Sequence, residues 1–277
     1  MDDISSTTSI FIDRSLEAAL DGIAEAGFPQ AEIFVLDPHV GAPTEQELSR
    51  LRSILEAHSV RGRSMHAPGR RSTLAAMDDA WREESVGILA GYVRMAGELG
   101  LTDLVIHPIS TRDLAPYADD PDLAQLMREA IQRSIDDLMP VIEESAVRIT
   151  LENLPFPKLP LNSMKELRPV IDPYPSEAVG LIIDIGHAAR LDLDPVDEVH
   201  AAGERLCGTH LHGVNWETGR DHFTPTLGGL DWDAMRQAFA EIGYTGPWTS
   251  EVEKPSDGQS LDELAREANE WMTSWLR

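Results

Sequence analysis

Apolar residues recur along this chain in two alternating patterns. Short apolar runs mark buried strands, and longer stretches with apolar residues every three or four positions mark amphipathic helices. Ser9-Ile10-Phe11-Ile12 predicts the first strand, and the helical stretch after it stops at Gly27. Ala31-Glu32-Ile33-Phe34-Val35 predicts the second strand and Arg63-Ser64-Met65-His66 a weaker third. Leu104-Val105-Ile106-His107 predicts a fourth, closed by Pro108. Residues 149–153, 181–184, 206–214 and 248–252 predict the remaining four.

Helical signals fill the gaps. Thr44-Glu45-Gln46-Glu47 reads as a capping box ahead of Leu48, Leu51 and Leu55, and Ser260-Leu261-Asp262-Glu263 opens the last helix in the same way. Val86, Leu89, Val93, Ala96 and Leu99 keep helical spacing up to a stop at Gly100. A long helix is expected from about Pro121 to Ser145, with Pro140 as a candidate kink. The proline-rich stretch 154–160 reads as a loop directly after the fifth strand. Continuous apolar strands alternating with helices indicate a parallel sheet. Eight such units in 277 residues predict one α/β domain spanning 1–277, a (β/α)8 TIM barrel. No glycine-rich dinucleotide fingerprint follows the first strand, which weighs against an open doubly wound sheet.

In such a barrel the C-terminal strand ends meet around one mouth. Glu152, Asp184, His212 and Glu251 each stand at a predicted strand end beside apolar residues. Burying several carboxylates together is costly unless a cation neutralises them. The set therefore predicts a divalent metal held by Glu152, Asp184, His212 and Glu251, with Mn²⁺ first and Mg²⁺, Co²⁺ or Zn²⁺ as alternatives. His210 and His212 share a strand face, so either serves as ligand while the other supports it. His187 follows Asp184 by one turn and is placed to meet a metal-bound substrate. Glu152 and Glu251, facing across the mouth, are candidates for removing and returning a carbon-bound proton. His66 and His107 also lie at or near strand ends, and His222 sits in the loop after the seventh strand.

The formal net charge of -25 argues against nucleic acid and against an anionic membrane surface as partners. Only Lys158, Lys165 and Lys254 are lysines, so nearly all basic residues are arginine. The single Cys207 cannot form an internal disulfide and reads as a small residue on a strand. No leader-like or membrane-spanning apolar run is evident, and a cytoplasmic protein is expected.

Several segments together resemble the xylose isomerase-like TIM barrels, the superfamily of sugar isomerases and epimerases that includes the apurinic endonucleases. They are Met65-His66-Ala67-Pro68, Val105-Ile106-His107-Pro108, Leu151-Glu152-Asn153-Leu154-Pro155, Asp184-Ile185-Gly186-His187, His210-Leu211-His212, Asp221-His222 and Gly228-Gly229-Leu230-Asp231-Trp232. The resemblance implies a divalent ion, often Mn²⁺, at Glu152, Asp184, His212 and Glu251. It also implies substrate contact by His187 and an acid–base pair in Glu152 and Glu251. The chain departs from the pattern in three places. Asn215 stands where an acidic residue is usual. Thr218 stands where ketose epimerases carry an arginine six residues past the metal histidine, with Arg220 two further on. The loop from His222 to the paired glycines is also longer than usual.

The expected activity is a metal-dependent isomerase or epimerase of a sugar or keto-polyol. Dehydration of a cyclic keto-polyol needs the same proton abstraction and is a close alternative. A multi-zinc hydrolase is a second alternative. The resemblance to the hydrolytic branch implies His66, His107, Glu152, Asp184, His187, His212 and Glu251 in matching places, and His210, Asp221 and His222 are candidate additional ligands or substrate contacts. There the missing residue between Asp221 and His222 would distort a third metal position. A sugar-binding protein without catalysis is a third. The expected partner is a small sugar or polyol, and homo-oligomers are allowed.

Overall fold

The computed structural model describes residues 3–69, 72–110, 114 and 117–277. Eight parallel strands close into a barrel. In chain order they are β1 (Ile4–Thr7), β2 (Gln30–Phe34), β3 (Arg61–His66), β4 (Asp103–Ile106), β5 (Arg148–Glu152), β6 (Val179–Asp184), β7 (Leu206–Leu211) and, last, β10 (Trp248–Ser250). Each pairs with its sequence neighbour around the ring, and β1 closes it by pairing in parallel with β10. A separate two-stranded hairpin, β8 (Gly213–Asn215) and β9 (Arg220–Phe223), stands outside the ring. The expected α/β barrel is therefore the observed one.

The first strand is displaced from its expected place. Residues 9–12 were the apolar candidate, yet Thr8–Phe11 forms a 3₁₀ turn and the strand is Ile4–Thr7. Ser5, Ser6 and Thr7 are fully buried and polar, so hydropathy conceals them. Their hydroxyls find partners: Ser5 Oγ lies 2.8 Å from Thr249 Oγ1 across the ring closure, and Thr7 Oγ1 2.8 Å from Ser9 Oγ. Ile10 and Phe11 instead enter the core beside the helix Leu16–Glu25.

The seventh strand is shorter than expected. It ends at Leu211, and the chain turns out of the barrel at His212 into β8. Gly213 makes this exit fit, because a Cβ there would lie 2.2 Å from Thr224 O. The last strand also stops early, at Ser250, which leaves Glu251 just past its end.

Of the two expected capping boxes, one forms in full and one in part. Ser260 and Glu263 form the reciprocal box. Thr44 accepts from Glu47 N, but the Glu47 carboxylate turns to Gly41 N and Arg50. The helix Asp79–Glu98 ends just before Gly100, whose φ is +72°. The helix Leu123–Ser145 carries Pro140 inside it. Residues 154–160 are irregular, followed by a helix, Met164–Ile171, opened by an unforeseen capping box between Ser163 and Glu166. No helix among the described residues is long and apolar enough to cross a membrane.

Candidate metal centre

Strand register brings distant residues together at the C-terminal mouth. Asp184 stands opposite His210 across β6 and β7, and Glu152 opposite Ile182 across β5 and β6. Glu251 N donates to Leu211 O at 3.3 Å, which sets Glu251 beside the end of β7. One ligand atom each from Glu152, Asp184, His210 and Glu251 falls within 4.8 Å of the others, and all four residues are buried. His210 Nδ1 lies 2.9 Å from Glu251 Oε2 and 3.4 Å from Glu152 Oε1.

Of the two histidines around Leu211, the structure brings His210 into this group. His212 stands on the other side of Asp184. Its Nδ1 accepts the backbone N–H of His222 at 3.0 Å. A backbone N–H can only donate, so the His212 proton sits on Nε2, which lies 2.8 Å from Asp184 Oδ2. His212 thus orients a carboxylate. Asp184 is held further by its surroundings: Asn153 Nδ2 donates to Asp184 O at 2.9 Å, and Asp184 N donates to Asn153 Oδ1 at 2.7 Å. Asp184 Oδ1 also accepts His187 N at 2.6 Å, capping the short helix Ile185–Arg190.

The other predicted residues surround the group. His66 Nε2 and His107 Nε2 reach Glu152 Oε2 at 3.3 and 3.1 Å. His187 Nδ1 lies 3.0 Å from Asn153 O, a pure acceptor, which puts its proton there and leaves Nε2 facing Asp221 Oδ2 at 3.7 Å. Asp221 is bound on several sides, by Arg190 at 2.6 Å, His222 at 2.9 Å and Lys254 at 3.4 Å. His222 takes a φ of +65°, a strained conformation for a residue with a side chain. Its carbonyl accepts from Glu253 N and Lys254 N, tying the hairpin to the segment after β10.

The electrostatics are those of many buried acids facing many buried imidazoles. Burial by itself would raise the Glu152 carboxyl; the charges of His107 and His210 and hydrogen bonds from His107 and His187 outweigh it and hold it well below the usual range. Burial likewise opposes ionisation of Glu251, and His210 and His222 overcome it. In return burial pushes His210 down, while Glu251, Glu32 and Glu152 together carry it well above an ordinary imidazole.

Two buried atoms at the centre, His210 Nδ1 and Glu251 Oε2, make no hydrogen bond among the described residues, although they are 2.9 Å apart. Unpaired lone pairs on an imidazole and a carboxylate, beside two more carboxylates, are a donor set that fits a hard or borderline divalent cation.

Sequence reading missed several contributors. Glu32, 1% exposed, hydrogen-bonds to His210, and Asn153 clamps Asp184. The signal for Glu32 was present: a lone carboxylate inside the apolar run Ala31-Glu32-Ile33-Phe34. Arg190 and Lys254 on Asp221 carried no signal of their own.

A closed parallel barrel with buried carboxylates and imidazoles gathered at its C-terminal mouth is a TIM barrel with its candidate site where such barrels carry theirs. More particularly, residues 20–275 match the family model of the xylose isomerase-like TIM barrel, and the chain belongs to that family. Uncharacterized protein y4fM of Sinorhizobium fredii is 27% identical over 91% of this chain and 85% of its own. The inosose isomerase of Bacillus subtilis is 21% identical over 64% and 63%. Among solved structures, a D-tagatose 3-epimerase-like protein superposes with a TM-score of 0.80 at 21% identity, covering 99% of this chain and 97% of that one. The IOLI protein with a bound zinc atom superposes with a TM-score of 0.81 at 17% identity, covering 99% and 98%. The chain's relatives thus include sugar isomerases and epimerases, and a divalent metal occurs in a neighbour of the same fold.

Proposed function

We propose that this protein is a divalent-metal-dependent isomerase or epimerase of a sugar or keto-polyol. One observation carries the reading: Glu152, Asp184, His210 and Glu251 are buried with ligand atoms within 4.8 Å of one another, and His210 Nδ1 and Glu251 Oε2 make no hydrogen bond among the described residues. Glu152, Asp184, His210 and Glu251 would hold the ion. We keep Mn²⁺ as first choice; the zinc in a neighbour of the same fold makes Zn²⁺ the nearest rival. The bound ion supplies Lewis acidity that polarises a substrate carbonyl or hydroxyl and acidifies the adjacent C–H.

The chain's own groups then handle the proton. Glu251, held ionised, would ligate the ion through one oxygen and accept the proton on the other, with Glu152 as the second member of the acid–base pair. His187, anchored through Nδ1 with Nε2 towards Asp221, is the candidate for contact with a substrate hydroxyl. The inosose isomerase and D-tagatose 3-epimerase-like relatives support a substrate of this class. Counted from His210, the position six residues on is Trp216, 54% exposed, in place of the arginine of ketose epimerases. A substrate differing from the common ketoses follows, and dehydration of a cyclic keto-polyol stays within the same chemistry. We take the chain to act in the cytoplasm as one domain.

The test is a solvent-deuterium exchange screen over ketoses and keto-polyols with added Mn²⁺ or Zn²⁺. Deuterium at the isomerised or epimerised carbon supports the reading. A second reading, a multi-zinc hydrolase, draws on two flanking groups, His66–His107–Glu152 and Asp184–His187–His212–His222. Two or three zinc ions per chain, with phosphate ester cleavage and no deuterium uptake, would establish that reading instead.

A further inference from the structure

Glu32 is a buried carboxylate on β2 that the proposed chemistry does not use. Its Oε1 lies 2.9 Å from His210 Nε2, and its Oε2 accepts the Ser64 hydroxyl at 2.7 Å. The pairing of β2 with β3 slips at this point: Ala31 faces Gly62, but Glu32 faces Ser64. Arg63 is the extra residue, and such an irregularity re-aims side chains. Here it sets Ser64 opposite Glu32.

The two nitrogens of His210 therefore have different surroundings. Nε2 faces an acceptor, so a proton belongs there. Nδ1 faces Glu251 and Glu152 at 2.9 and 3.4 Å and makes no hydrogen bond among the described residues. We propose that Glu32 is a positioning residue for the metal centre: held by Ser64, it fixes the ring of His210 through Nε2–H and so directs the Nδ1 lone pair at the metal. The inference rests on the proposed metal centre and extends it by a carboxylate–imidazole–metal relay that starts on β2. An outer carboxylate of this kind both orients the ring and raises its basicity as a ligand.

The experiment uses the full chain, stripped of metal and retitrated with Zn²⁺ and with Mn²⁺ against a chromophoric chelator. Glu32→Gln keeps the shape but removes the charge, and its affinity should fall about 10–100-fold. Nitrogen NMR of the zinc-loaded wild type should show His210 protonated at Nε2 and metal-bound at Nδ1. The thermal midpoint of the metal-free proteins is the control: a purely structural Glu32 would lower it while leaving affinity unchanged, and that outcome overturns the proposal. So does NMR evidence of zinc on His210 Nε2. If Glu32→Gln does not fold, Ser64→Ala decides, since it loosens Glu32 without removing it. A severalfold loss of affinity supports the proposal, and an unchanged affinity overturns it. Asp184→Asn separates the two levels of inference. If wild type binds metal no better than Asp184→Asn, the metal centre itself fails. If Asp184→Asn loses metal while Glu32→Gln keeps full affinity, only the role of Glu32 fails.

Discussion

Replacing Glu251 by glutamine separates a proton acceptor from a ligand. The residue is 3% exposed and sits just past β10, and glutamine has the same size and shape. Its Oε2 lies 2.9 Å from His210 Nδ1 and 3.6 Å from His222 Nε2. Both imidazoles favour its ionised form, so the wild-type group carries no proton at neutral pH and has a site open to one. The amide oxygen of Glu251→Gln can still coordinate but cannot take a proton. A positioned general base is worth about 10²–10⁴ in rate. At about 1.4 kcal/mol per tenfold, that is a rise of roughly 3–5 kcal/mol in the barrier. The weaker metal binding of an uncharged ligand is a separate loss, removed by saturating metal. The assay is therefore turnover, and deuterium wash-in, at increasing Mn²⁺ until the rate plateaus. A plateau at least about 100-fold below wild type is expected. A plateau equal to wild type would refute the reasoning and leave Glu152 as the sole candidate base.

His210→Ala should lose metal, whereas His212→Ala should keep most of it, because His212 Nδ1 is spent on His222 N and its Nε2 on Asp184; chelator competition on both variants decides, and the reverse order would return His212 to the ligand set. Metal affinity should rise with pH across and above the neutral range. The raised proton affinity of His210 means the metal-free protein still carries a proton that the ion must expel, and stronger acid holds it on more firmly. A pH-independent affinity would contradict this. Asn153→Ala strands Asp184 N and O in a fully buried setting. It should cost about 1–3 kcal/mol in chemical denaturation, and a loss near zero would mean that water or neighbours replace the clamp.

The barrel was readable because its strands are apolar and bounded by caps and glycines, a pattern that local sequence carries. The first strand was not, because Ser5, Ser6 and Thr7 hide a buried strand behind hydroxyls that bond to partners as distant as Thr249. The carboxylates Glu152, Asp184 and Glu251 were legible as acids at the ends of apolar runs. The choice between His210 and His212 was not. Both sit on one face of an expected continuous strand, and only the exit of the chain at Gly213 gives them different neighbours. Glu32 stood out as a lone acid in an apolar run, but its partner, His210, is 178 positions away, and no local spacing relates them.

Closure of the ring by β1 and β10 also determines when the centre can exist. Ser5 and Thr249 are 244 positions apart, and Glu251 follows immediately after the closing strand. During synthesis, Glu152, Asp184 and His210 emerge long before Glu251, and until it arrives the ring has no last stave. Contacts of such separation form late, because the loop entropy must be met before they return any energy. The growing chain therefore carries an incomplete set of these groups between residues 210 and 251 and gains the last of them only after its final strand. Metal capture at this mouth would then report that the barrel has closed, and a chain truncated before residue 251 should retain strands and helices yet bind no ion with the affinity of the whole.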